Sequence, residues 1–217
     1  MNDNPKRYHH GDLRRALIDT ALGMLEETDD WRFTLRELAR RAGVSHTAAY
    51  KHFPDKAGLL AELALLGFER LRTVLLAARP RPPVRPREEF LAMSRAYVRF
   101  GADNSNLYRL MFSADARQSA HAQLKDRGAA ALDVLVDLIS AGQAAGWLRA
   151  RDIRQQAGAG WSQLHGLTLL TIDGLLGPDT VGTDAVDASL EILLEGLQAD
   201  SGGTAGGSAS SVRERQP

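Results

Sequence analysis

Apolar residues recur along the chain at spacings of three and four, and no run alternates long enough to read as a strand, so the pattern predicts an all-α protein. Leu13, Leu17, Ile18, Ala21, Leu22 and Leu25 mark an amphipathic helix from about Gly11 to Glu27. Leu35, Leu38, Ala39 and Ala42 form the stripe of a short second helix. Thr34 precedes that stripe with Glu37 three residues later, the spacing of a capping box, and Gly43 has the backbone freedom to end it. Ser45 is the N-cap of a third short helix, His46 to His52. Pro54 stops it, because proline disfavours the α conformation at Phe53 and suits the first turn of the helix that follows. Trp31 and Phe33 lie in the first connection and are expected to close a three-helix core.

The next apolar series runs from Asp55 to about Ala78, a helix of ~36 Å at 1.5 Å per residue, long enough to link two bodies. Arg79 to Arg87 (RPRPPVRPR) breaks the pattern with four prolines and four arginines, and predicts an extended linker. Helical spacing resumes at Glu88–Phe100, Asn106–Phe112, Ser119–Leu148, from Asp152 through Ile172, and after Thr183 or Asp184. Ser201 to Pro217 is Gly/Ser-rich and unpatterned, and is expected to be disordered. The resulting division is an arm and three-helix domain (1–54), a connecting helix (55–78), a linker (79–87), a larger helical domain (88–200) and a tail (201–217).

A helix, a glycine turn and a helix of small residues make a helix-turn-helix pattern. Thr47, Ala48 and Ala49 keep the second helix slim, so that it fits a major groove about 12 Å wide. His46 and Thr47 near its N-terminus are the candidate base readers, and Tyr50, Lys51 and Lys56 the candidate phosphate donors. Thr34, Arg36, Ser45, Ala48 and His52 complete the candidate DNA-binding surface. The whole chain of 217 residues has a net charge of zero, yet Arg32 to Lys56 carries six Lys or Arg against Glu37 and Asp55. That local excess is what a phosphate senses across a Debye length of ~8 Å. Lys6 and Arg7 make the N-terminal segment a candidate arm along the backbone or in a minor groove, with a frayed end the plain alternative.

GVSHTAAYKHFPDKAGLL, with its Tyr50, Phe53 and Lys56 spacing, resembles the signature of TetR-type transcriptional regulators; the resemblance covers about Tyr8 to Leu66. WSQLHG at Trp161–Gly166 resembles the Trp–His–Gly signature of one C-terminal subclass of that family. Many members carry Gly where this chain has Ala48, a difference that bears on base preference rather than fold. The resemblance implies an N-terminal DNA-binding domain, a helical ligand-binding and dimerisation domain, and a homodimeric repressor released from a palindromic operator by a small, largely apolar effector. Met93, Tyr97, Phe100, Tyr108, Met111, Phe112, Trp147 and Trp161 are the candidate effector pocket, although each alone, at helical spacing, reads as core.

His165 shares the Trp161/Leu164/Thr168 face. It reads first as structural, bonded to a carbonyl or hydroxyl with Gly166 allowing close helix approach, and second as a pocket residue. Leu164, Thr168, Thr171, Leu190, Leu193 and Leu197 offer apolar faces for a two-fold, four-helix dimer interface. The chain has no cysteine, which removes disulfide and thiolate chemistry, and no run of ~20 apolar residues that would span a bilayer. A cytoplasmic location is expected. His9 and His10 lack metal-site geometry, and no cofactor is implied. An all-α enzyme would need a partner for His165, but Asp173 lies ~12 Å further along the helix axis. A DNA-coating protein without an effector is the remaining alternative.

Overall fold

The computed structural model describes residues 10–28, 30–80 and 85–199. The proposed arm at Lys6 and Arg7 and the tail from Ser201 lie outside the described residues. Those residues are all-α apart from one isolated bridge between Leu148 and Gln198.

The first three helices are α1 (His10–Glu27), α2 (Leu35–Arg41) and α3 (His46–His52). Their starts and stops follow local chemistry. The Thr34 hydroxyl accepts from the Glu37 N–H at 3.2 Å, and the Ser45 hydroxyl accepts from the Ala48 N–H at 3.2 Å. At the end of α2 the chain turns through Gly43 at φ 68°, with Val44 N–H donating to Ala39 at 3.0 Å and Gly43 N–H to Arg40 at 3.3 Å. This Schellman closure needs a left-handed residue, which glycine supplies without a Cβ clash. Leu17, Ala21, Leu25, Leu38, Ala49 and Phe53 are buried together beneath the three helices. Phe33 joins that core, but Trp31 is only half-buried, and its indole N–H donates to Asp115 of a later helix at 2.8 Å. Trp31 packs against the edge of the core and also ties the three-helix unit to the rest of the protein.

α4 (Lys56–Ala77) is the spine. Asp55 caps it, accepting from Gly58 N–H at 2.7 Å, so Pro54 stands just ahead of the cap rather than in the first turn. α4 packs on α1 and also on α5 (Pro86–Asp103), α6 (Ser105–Met111) and α7 (Ala114–Ala144). Helix α5 begins at Pro86, inside the stretch expected to be linker, because proline at N1 forfeits no helical hydrogen bond. α7 starts five residues earlier than its periodicity suggested and carries a kink at Ala120 (φ −142°, ψ 38°).

α8 (Ile153–Ile172) lies against α5 and α7, a four-residue α9 (Pro178–Val181) follows, and α10 (Ala185–Leu197) covers α5 and α8. The approach of α5 to α8 is close at Gly101, where a Cβ would come within 2.1 Å of Thr168 Cγ2 and 3.2 Å of Tyr108. No described helix is long and apolar enough to cross a membrane.

Candidate nucleic-acid interface and apolar cavity

The faces of α2 and α3 that turn away from the core carry a linked polar set. Arg36 Nε donates to His46 Nε2 at 3.1 Å, and the His46 ring meets Tyr50 edge-on with centroids 4.9 Å apart. Arginine has no acceptor, so Nε2 of His46 is the acceptor of the pair and the imidazole's other nitrogen is its donor. Thr34, Arg36, Ser45, His46, Thr47, Tyr50 and Lys51 are exposed, Tyr50 to 42%. Ala48 is half-buried, and the neighbouring Ala49 is fully buried and anchors the helix from below. The hydroxyls of Thr34 and Ser45 act as acceptors for backbone N–H groups, which leaves their own O–H groups available to an incoming acceptor.

His52 and Lys56 are partly buried, and the Lys56 ammonium sits 5.6 Å from the centre of the Phe33 ring. Arg14 of α1 holds this unit together. Its guanidinium donates to Glu62 at 3.0 Å and lies 5.3 Å from the centre of Phe53. Periodicity along α1 alone gives no signal for a partner forty-eight residues away.

The second candidate site is a cavity of about 40 Å³ between α4, α5, α7 and α8. Of the expected pocket residues, Met93, Tyr97, Phe112 and Trp161 line it; Phe100, Tyr108, Met111, Trp147 and His165 do not. Tyr108 and Met111 are packed deep on α6, where Met111 fills the space over Gly67, and Trp147 stacks edge-on to Phe90 beyond α7. Phe100 is buried in the core near the end of α5. The lining residues that patterning did not single out include Phe68, Leu71 and Leu75 of α4 and Ser94 of α5. Leucines and a phenylalanine on a long amphipathic helix carry no mark distinguishing a cavity wall from solid core.

Trp161, Tyr97, Tyr108 and His165 form one hydrogen-bonded chain. The Trp161 indole N–H donates to Tyr97 Oη at 3.0 Å, the two tyrosine hydroxyls are 2.9 Å apart, and Tyr108 Oη is 2.7 Å from His165 Nδ1. Burial raises the pKa of both tyrosines, so they stay protonated and can donate, while burial lowers that of His165 and favours the neutral ring. His165 thus has the hydroxyl partner expected of a structural histidine. Gly166 does not permit close approach within the chain, since a Cβ there would meet nothing within 4 Å. Asp173 is paired with Arg109. No group of acids or histidines among the described residues could hold a metal.

The faces expected to join two copies are occupied. Leu164, Thr168, Leu190, Leu193 and Leu197 are buried inside the monomer and Thr171 is half-buried. The outer faces of α8 and α10 instead expose Leu170 and Ile192, the latter to 66%.

Residues 17–63 match the family described as bacterial regulatory proteins, tetR family, and residues 90–197 match the tetracyclin repressor-like C-terminal domain. Over 123 residues the chain is 30% identical to an uncharacterized HTH-type transcriptional regulator of Haemophilus influenzae, covering 56% of this chain and 57% of that protein. The chain thus spans little more than half the length of that curated relative. The solved structure of a protein with unknown function from Rhodococcus sp. RHA1 is 35% identical, with a TM-score of 0.78 over 90% of this chain and 100% of that one. A putative tetR family transcription regulator from Shewanella sp. PV-4 shares the fold, with a TM-score of 0.65 at 20% identity over 86% of this chain and 98% of that one. With a capped helix-turn-helix in the first matched segment and the helical body in the second, the chain belongs to the TetR family of bacterial regulatory proteins.

Proposed function

We propose that the protein is a homodimeric repressor that binds a palindromic operator in the cytoplasm and is released from it by a small, largely apolar effector. The observation that carries the DNA-binding half is the exposed, linked surface of Arg36, His46 and Tyr50 on a slim helix anchored through Ala49. His46 and Thr47 read base edges, while Tyr50, Lys51 and Lys56 hold phosphates; Thr34, Arg36, Ser45, Ala48 and His52 complete the surface.

Two copies join through the outer faces of α8 and α10. Leu170 and Ile192 supply apolar contact, and Ala159, Ser162, Gly166 and Ala188 keep those faces low enough for helices to meet. Such a dimer sets two recognition helices against successive major grooves, ~34 Å apart. The effector enters the cavity walled by Phe68, Leu71 and Leu75, on the same helix whose first residue is Lys56. Enlarging the cavity displaces α4, and the spacing of the two α3 helices changes with it. A coupling of ~1–3 kcal/mol weakens operator affinity about 5–150-fold.

The experiment is operator binding by the purified protein with and without ligands shown calorimetrically to bind it. Weaker operator binding in their presence supports the switch, and unchanged affinity at saturation removes it.

A further inference from the structure

The turn between α2 and α3 brings an arginine and a histidine into a contact whose direction is fixed by chemistry. Arg36 Nε is 3.1 Å from His46 Nε2, and a guanidinium has only N–H groups to offer. Nε2 therefore carries the lone pair, and the proton of the ring sits on Nδ1. His46 is exposed at the start of α3, and its Nδ1 has no hydrogen-bond partner among the described residues. Tyr50 meets the ring edge-on, with centroids 4.9 Å apart, and limits its rotation. Arg36 spends one of its five N–H groups on this bond. It is exposed and without an ion pair among the described residues, so the other four are available to a phosphate.

An unconstrained neutral histidine can turn either a donor or an acceptor toward a base, and so discriminates poorly. With Nε2 occupied, His46 offers DNA a donor alone. Guanine answers a donor with two adjacent acceptors, N7 and O6, whereas cytosine presents only its N4 donor. An A·T pair sets the adenine N6 donor between two acceptors. Donor against donor leaves both groups unpaired at a desolvated contact, which makes cytosine the worst base for this histidine.

We propose that Arg36 sets the base preference of His46: by holding Nε2 it makes His46 a donor that selects guanine, while Arg36 itself contacts phosphate. The proposal rests on the reading of α3 as the base-contacting helix above.

Selection from a random duplex pool by wild type and by His46→Ala locates the half-site position that His46 reads. That position carries guanine in the wild type and loses its preference in His46→Ala. Direct titration then replaces this guanine by 7-deazaguanine, which lacks the N7 acceptor, or by 6-thioguanine, which weakens the O6 acceptor. At least one of the two lowers wild-type affinity about fivefold per half-site, the worth of one hydrogen bond. Arg36→Met weakens all duplexes and also narrows the preference for guanine over cytosine by about fivefold, while Arg36→Lys, which keeps a donor and a charge, retains it. Circular dichroism confirms that both variants fold. A base other than guanine at the position, no effect of either analogue, or a preference that is unchanged in Arg36→Met or equally lost in Arg36→Lys overturns the proposal. Guanine preference that survives in His46→Ala makes Arg36 the direct reader and overturns it as well. A wild type that enriches no consensus overturns base reading by α3, and the proposal with it.

Discussion

Asn106, on the first turn of α6, donates from its side-chain amide to the Thr28 carbonyl at 2.6 Å, just beyond the end of α1. The same amide donates to the Leu25 carbonyl at 2.8 Å. Helices end with carbonyls that lack partners, and here a side chain from the C-terminal body supplies the missing donor. With the Trp31–Asp115 bond, this makes α6 and α7 a second connection to the DNA-binding unit, parallel to α4. Asn106→Ala should lower unfolding free energy by about 1–2 kcal/mol, measured by urea titration. It should also narrow the gap between operator affinities with and without effector. A variant as stable and as responsive as wild type would leave α4 as the sole route.

Gly101 is where α5 and α8 come closest. Gly101→Ala pushes a methyl into Thr168 and Tyr108, a buried pair with little room to give, and should cost about 1–3 kcal/mol. Gly166→Ala, on the open side of α8, should raise the stability of a monomer by up to about 1 kcal/mol, because alanine is the better helix former and its Cβ meets nothing. The contrast is read from their unfolding midpoints.

Much of this architecture was legible in the sequence where local chemistry decides it. Thr34, Gly43 and Ser45 mark helix ends whose hydrogen bonds are made within a few residues. What was not legible depends on contacts remote in sequence. α10 has apolar residues on more than one side, so its periodicity allowed Leu190, Leu193 and Leu197 as an outer face, whereas packing on α5 and α8 buries them and leaves Ile192 outside. Aromatic spacing likewise did not separate Phe112, which borders the cavity, from Phe100 and Trp147, which do not. The contacts of Arg14 with Phe53 and Glu62 are of the same kind, since neither residue is near it in sequence.

His165 makes stability depend on pH with a definite sign. Burial holds its pKa below the ordinary 6.5, so near pH 6 the unfolded chain binds more protons at this residue than the folded one. Its contribution is complete above the unfolded value and is lost as pH falls through the folded one. His165→Gln should therefore flatten the change in urea midpoint between about pH 7.5 and about pH 5.5. An unaltered slope would show that His165 titrates alike in the folded and unfolded chain.

The outer faces of α8 and α10 give a prediction about assembly. Leu170→Asp with Ile192→Asp places two charges on surface already exposed in the monomer, so helix content by circular dichroism should hold. The sedimentation mass should fall from dimer to monomer, and operator binding should weaken by more than tenfold as half-site cooperation is lost. A wild type that sediments as a monomer, or a double variant that remains dimeric, contradicts this interface.

Selection of bound duplexes from a random pool addresses the exposed face of α3 most directly. The wild type should enrich a palindrome whose half-site centres are about one helical turn apart. His46→Ala and Thr47→Ala should change the enriched bases, whereas Tyr50→Ala and Lys51→Ala should weaken all sequences alike. A pool that emerges without a consensus, at salt where binding is retained, would contradict sequence-specific reading by α3.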